Sequence, residues 1–174
     1  QKLQILKLKK SNMRIISGKA RGTKLYTLEG ENTRPTLDRV KESLFNIIQN
    51  DIKDANVLDL FAGSGQLGIE ALSRGARKAY FVENAKEALA CIESNLNTTK
   101  LKDSAVVLKT DAVSSLHHIF EKEVDIIFLL LLRFYFNLFF NFYQTFTCKS
   151  YCLISFKRFI INNIFIFHPF ISNN

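Results

Sequence analysis

The residues best suited to chemistry stand in one ten-residue run, DLFAGSGQLG, at positions 59–68. Gly63, Gly65 and Gly68 satisfy G-x-G-x-x-G between an apolar, strand-like run and a helical one. Glycines there let the backbone approach a ligand closely, although a tight strand-to-helix turn alone would also use them. Glu83 lies twenty residues past Gly63, at the end of the apolar run KAYFVE. A carboxylate at that place accepts hydrogen bonds from ribose hydroxyls. Asp59 closes the strand that precedes the glycines, and Asp111 closes a third run, AVVLKTD. Asp111 can accept a hydrogen bond from an adenine amino group; its other reading is a helix N-cap.

The charge of these groups narrows the ligand. A dinucleotide lays its pyrophosphate over the glycine loop, where the helix N-terminus favours an anion. Asp59, four residues before Gly63, would repel that pyrophosphate. Three carboxylates at successive strand ends suit a cationic ligand that carries ribose and adenine. S-adenosylmethionine fits this description better than a nicotinamide dinucleotide. The expected cofactor-binding set is Asp59, Phe61, Gly63, Ser64, Gly65, Glu83 and Asp111.

Alternating elements must hold these groups in place. Strand-like runs begin near Asp54 (DANVLDL), Lys78 (KAYFVE), Ala105 (AVVLKTD) and Val124 (VDIIFL). Between them lie LGIEALSRG, closed by Gly75, then AKEALACIESNLN and AVSSLHHIF, all with helical apolar spacing. Near the N-terminus Leu37, Val40, Leu44, Ile47 and Ile48 mark a further helix, with Thr36 as its expected N-cap after Pro35. Strands alternating with helices predict an α/β fold around a parallel, doubly wound sheet.

Charge is distributed unevenly over the 174 residues, whose formal net charge is +8. Residues 1–53 carry twelve Lys/Arg against five Asp/Glu, residues 54–125 eight against eleven, and residues 126–174 four against none. A basic arm ahead of an acidic middle points to a polyanion docked by the N-terminal third. The three cysteines, Cys91, Cys148 and Cys152, form no C-x-x-C pair, and His117, His118 and His168 lack metal-ligand spacing. That usage fits a reducing cytoplasm and no metal. Cys91 reads as a small core residue. The N-terminal residues lack the apolar core of a secretory signal. Met13 is the only methionine, so residues 1–12 are expected to be a disordered extension ahead of the natural start.

From Leu130 the composition changes. Residues 126–174 hold 12 of the 16 phenylalanines and no Gly, Asp or Glu. The pattern reads as an aberrant, frameshifted or read-through tail in which the sheet stops short, or else as a genuine hydrophobic tail. Membrane insertion of residues 126–142 is near balance, because Arg133, Asn137 and Asn141 offset the aliphatic and aromatic gain.

The segments MRIISGKARGTKL, NTRPTLDRVKESLFNII, VLDLFAGSGQLGIEALSRGA and FVEN together resemble the RsmD family of bacterial 16S rRNA guanine-N2 methyltransferases, over about residues 13–129. The resemblance implies a Rossmann-like class I S-adenosylmethionine-dependent methyltransferase in the cytoplasm, monomeric, acting on 16S rRNA or the 30S particle. It implies four segments: the extension 1–12, a basic RNA-contacting segment and helix 13–53, a Rossmann-like cofactor core 54–129, and the hydrophobic tail 130–174. Substrate contacts are implied for Arg14, Lys19 and Arg21 in the basic arm and for Arg34, Pro35 and Thr36 in the loop beside it. In this family the fourth strand ends in Asp-Pro-Pro-Tyr, which orients the guanine amino group and stacks on the base. Here Leu130, Leu131, Leu132 and Arg133 occupy those positions, so no catalytic residue is expected and turnover should be lost.

Overall fold

Runs of apolar residues too short for helices pair side by side into one sheet. The computed structural model describes residues 9–28, 35–119, 124–130, 155–161 and 164–170. Strands β3 (Asn56–Asp59), β4 (Lys78–Glu83), β5 (Ala105–Lys109) and β6 (Ile126–Leu130) are parallel to one another where they pair. The six-stranded order is β5-β4-β3-β6-β8-β7, with β7 at Ser155–Ile161 and β8 at Ile164–Phe170. β8 runs antiparallel to β6, and β7 antiparallel to β8. The sheet therefore continues past β6: the segment expected as a tail supplies two strands. Its Phe- and Ile-rich runs favour the pleated surface even without glycine punctuation. Leu130 ends β6, whereas Leu131, Leu132 and Arg133 lie outside the described residues.

Period-two alternation sends side chains to opposite faces of this sheet. Val57, Ala79, Phe81, Ile126 and Phe128 join one core cluster, and Leu58, Leu60, Tyr80, Val82 and Ile127 join another. The first cluster is covered by helices α1 (Pro35–Ile47), α3 (Gln66–Ser73) and α4 (Lys86–Thr99), through Leu44, Phe45, Ile69, Leu72, Ile92 and Leu96. The second is covered by α5 (Ala112–Ile119) through Ile119. Helices on both faces satisfy the buried parallel strands, as the alternation of elements predicts. A short helix, α2 (Gln49–Ile52), which the sequence pattern did not separate from α1, leads into β3. The Phe45 ring meets the Phe128 ring at 5.6 Å between centroids, tilted by 59°, which anchors α1 to β6.

Two boundaries differ from expectation. α1 begins at Pro35, so Thr36 lies within the helix and is not its N-cap. Proline suits a first helical position because the N–H it lacks has no partner there anyway. At the N-terminus, β1 (Lys9–Arg14) pairs antiparallel with β2 (Lys24–Thr27), matching Lys9 to Thr27 and Lys10 to Tyr26. Order thus reaches four residues into the stretch 1–12 expected as an extension; residues 1–8 lie outside the described residues.

Candidate functional site

The chain goes from β3 to β4 and β5 on one side, then returns to β6 on the other side of β3. Ligands of open α/β sheets bind at such a switch point, outside the carboxyl ends of the strands. The loop at that end of β3 runs from Leu60 to Gly65. Gly65 has φ +77° at the N-cap of α3 and donates its N–H to Ala62 O at 2.6 Å. A side chain there would be strained, so glycine is required for the turn into α3. Gly68 serves packing instead: a Cβ on it would lie 2.4 Å from Phe81 Cε1. Its absence lets α3 press onto β4.

Glu83 closes the loop from the neighbouring strand. Its Oε2 accepts the Gly63 N–H at 2.9 Å, and its Oε1 accepts the N–H groups of Asn84 and Ala85 at 2.9 and 3.0 Å. The residue is half-buried; Oε1 already accepts two N–H groups, and Oε2 keeps a lone pair for a ligand hydroxyl. Asp59 is different. It is 3% exposed, and its Oδ2 accepts the Gly68 N–H at 3.2 Å, in the first turn of α3. Burial pushes its pKa up to about 7, the Gly68 N–H pulls it back, and the Glu83 charge raises it again. Asp111 caps α5: Oδ1 accepts Ser114 N–H at 2.9 Å and Oδ2 accepts the Ser114 hydroxyl at 2.6 Å. Those bonds, the hydroxyl's foremost, hold its pKa below the usual carboxylate value. It is exposed at the mouth of the strand ends. Phe61 is half-buried and Ser64 buried within the loop.

On the other side, Arg14, Lys19 and Arg21 are all exposed along the β1–β2 arm, as a polyanion surface requires. Pro35 and Thr36 open α1, and Arg34 lies outside the described residues. Among the described residues no cluster of three or more His, Cys, Asp or Glu could hold a metal ion. Among them, too, no helix is long and apolar enough to cross a membrane.

Sequence reasoning missed the residues that fasten the basic arm to the glycine-loop core. Glu70 of α3 is fully buried, and its two oxygens accept the N–H groups of Ile16 and Ser17 at 2.9 and 3.0 Å. It also pairs with Arg74 at 2.8 Å and with the buried Lys41 of α1 at 3.7 Å. Lys41 in turn donates to Arg14 O at 2.8 Å. Ser73 Oγ accepts Ala20 N–H at 3.0 Å and donates to Ser17 O at 2.6 Å. Asn95 of α4 bonds to Tyr26 in β2 and to Ser64 in the loop. The signal available beforehand was a lone acid inside the apolar run LGIEAL, and an Asn on the apolar face of its helix.

The fold and site have counterparts elsewhere. The family model described as Conserved hypothetical protein 95 matches residues 13–130. The chain is 50% identical over 91 residues to ribosomal RNA small subunit methyltransferase D of Haemophilus influenzae, covering 52% of this chain and 47% of that protein. To the protein of the same name in Escherichia coli it is 46% identical over 95 residues, covering 55% and 48%. The chain thus spans about half the length of these two relatives. A third, from Buchnera aphidicola of Acyrthosiphon pisum, is 31% identical over 159 residues, covering 91% of this chain and 78% of that one. Among solved structures, yhhF of Escherichia coli superposes with a TM-score of 0.63 at 25% identity, covering 90% of this chain and 97% of the other. A hypothetical protein of Thermus thermophilus superposes with a TM-score of 0.69 at 23% identity, covering 89% and 97%, a likeness of fold.

Proposed function

Since the chain belongs to the Conserved hypothetical protein 95 family, the RsmD family of rRNA methyltransferases, we propose that it descends from an enzyme that methylates N2 of a guanine in 16S rRNA, and that it keeps the S-adenosylmethionine site without turnover. The observation that carries this reading is the trio Asp59, Glu83 and Asp111 at the carboxyl ends of β3, β4 and β5, around a glycine loop with Gly63 and Gly65 at positive φ. The donor set fits the cofactor. Glu83 offers an acceptor to a ribose hydroxyl, exposed Asp111 offers one to an adenine amino group, and Phe61 and Ser64 stand in the glycine loop after the neighbouring β3.

S-adenosylmethionine, when bound, supplies an electrophilic methyl group on a cationic sulfur. The chain's own part is to bind and orient. Buried Asp59 holds the first turn of α3 through Gly68 and, when ionised, would offer negative charge to the cationic end of the ligand. Arg14, Lys19 and Arg21 offer an exposed basic face to RNA phosphates. Arg34, Pro35 and Thr36 complete the substrate contacts that the family resemblance implies. Proximity and orientation would supply the rate enhancement of such a transfer. Orientation of the guanine amino group is what this chain lacks, because the sequence at 130–133 reads Leu-Leu-Leu-Arg. Leucine accepts no hydrogen bond, and an arginine at that motif position would repel a cationic donor. The working partners are 16S rRNA or the 30S particle in the cytoplasm, with the protein a monomer.

Two measurements test the reading. Calorimetry should detect S-adenosylhomocysteine binding and no NAD binding; the reverse result removes the methyltransferase lineage as an account of this pocket. Unmethylated 30S particles incubated with labelled S-adenosylmethionine should gain no label. Incorporation at a guanine N2 would show that the leucine run does not abolish turnover.

A further inference from the structure

Asn95 sits fully buried on α4, between two segments that are far apart in sequence. Its Oδ1 accepts the Tyr26 N–H at 2.7 Å, while its Nδ2 donates to Tyr26 O at 3.0 Å and to Ser64 O at 2.9 Å. The amide is thereby committed on both sides: the acceptor and one donor to β2 of the basic arm, the other donor to the glycine loop. Cys91, one turn earlier, donates its thiol to the same Tyr26 carbonyl at 3.1 Å. Ser64 stands between Gly63 and Gly65, both at positive φ, so its carbonyl direction follows the shape of the loop.

We propose that Asn95 is a positioning residue that couples the basic arm to the glycine loop, so that occupancy of the cofactor site and docking of RNA on the arm reinforce one another. The inference deepens the cofactor reading above and rests on it. A ligand that fixes the glycine loop fixes Ser64 O, which orients the Asn95 amide and tightens both bonds to Tyr26. Linkage makes the effect reciprocal: RNA that orders β2 must strengthen ligand binding by the same factor.

Backbone amide exchange in the full chain, with S-adenosylhomocysteine as the probe, tests this. The Ile15 N–H, bonded to Thr23 O at 3.0 Å within the same hairpin, is the internal reference for general stabilisation. Saturating ligand should slow exchange at Tyr26 relative to Ile15 by roughly fivefold or more. In Asn95→Asp, which keeps the acceptor but loses both donors, ligand affinity should fall and the selective slowing at Tyr26 should vanish. Ligand that binds the wild-type chain yet slows Tyr26 no more than Ile15 overturns the coupling and leaves the cofactor reading standing. A wild-type chain with no affinity for the ligand removes both. If Asn95→Asp does not fold, the wild-type comparison decides alone, and a purely structural Asn95 would give no selective response there.

Discussion

Glu83 and Gly63, twenty residues apart, are joined by a 2.9 Å hydrogen bond from the glycine N–H to Oε2. One carboxylate therefore shapes the glycine loop and, with the one lone pair left on Oε2, can accept from a ligand. Both duties need an acceptor, and the ligand-facing one gains from charge. Glu83→Gln keeps an oxygen for the loop but loses the charge and one acceptor. It should weaken S-adenosylhomocysteine binding by about 10- to 100-fold, with a much smaller change in melting temperature. Titration calorimetry alongside a thermal melt separates the two effects; equal affinity in the variant would mean that Glu83 serves the loop alone.

Asp59 makes the site sensitive to pH. Its folded pKa, about 7, lies above its ordinary value of 3.8, chiefly because it is buried. Between those two values the folded chain holds a proton that the unfolded chain has released. Stability from this group is therefore fully present below the ordinary value and is lost as pH rises through about 7. Denaturant midpoints should fall between about pH 4 and pH 7, and Asp59→Asn should flatten that slope. A cationic ligand has the opposite preference, for the ionised carboxylate. Affinity for S-adenosylhomocysteine, through its ammonium group, should thus rise from about pH 6 to 8 in the wild-type chain and stay level in Asp59→Asn.

The basic arm depends on Gly18. A Cβ at this position would lie 1.8 Å from Ser73 O, and the residue has φ +84°. Gly18→Ala is therefore both strained and sterically blocked, and the arm must lift from α3. The cost should be about 1–3 kcal/mol in urea unfolding. RNA affinity should fall with it, since Lys19 and Arg21 follow the displaced residue. Gly22, also at positive φ, has no atom within 4 Å of such a Cβ. Gly22→Ala then serves as the control that carries backbone strain without the collision.

The strand runs, the glycine loop and the placing of three carboxylates at strand ends could be read from the chain because each is local: a run, a motif, a strand end. KAYFVE became β4 residue for residue, and the Gly75 stop after α3 stands at φ +107°. The helix start at Pro35 lies two residues before the one that Thr36 as N-cap would give, because capping and proline preferences compete at the same place. β7 and β8 were illegible for a different reason. Their residues carry no turn or cap signal, and their place beside β6 is fixed only by pairing across the sheet. Asn95, Glu70 and Ser73 were hidden likewise, since their backbone partners in the arm and the glycine loop lie 31 to 69 residues away. Single-sequence periodicity marks such residues as out of place on an apolar face and cannot name what they bond.

Glu70 offers the sharpest stability test, because its charge is fully buried and its partners are known. Lys41 and Arg74 neutralise it, two backbone N–H groups satisfy it, and the Arg74 guanidinium lies 4.8 Å from the centre of the Phe45 ring. Removing one member of a buried ion pair costs more than removing the whole pair, since the survivor keeps its desolvation penalty. Glu70→Leu alone should destabilise the chain by about 3–5 kcal/mol, as it strands Lys41 and leaves the Ile16 and Ser17 N–H groups without an acceptor. Lys41→Met combined with Glu70→Leu should recover part of that loss, and the double-mutant cycle measures how much. The unrecovered remainder belongs to the two N–H groups and to Arg74, which also loses its carboxylate. It should appear as faster amide exchange confined to residues 15–22. Additive single-variant losses would mean that Lys41 is held by Arg14 O and not by the carboxylate.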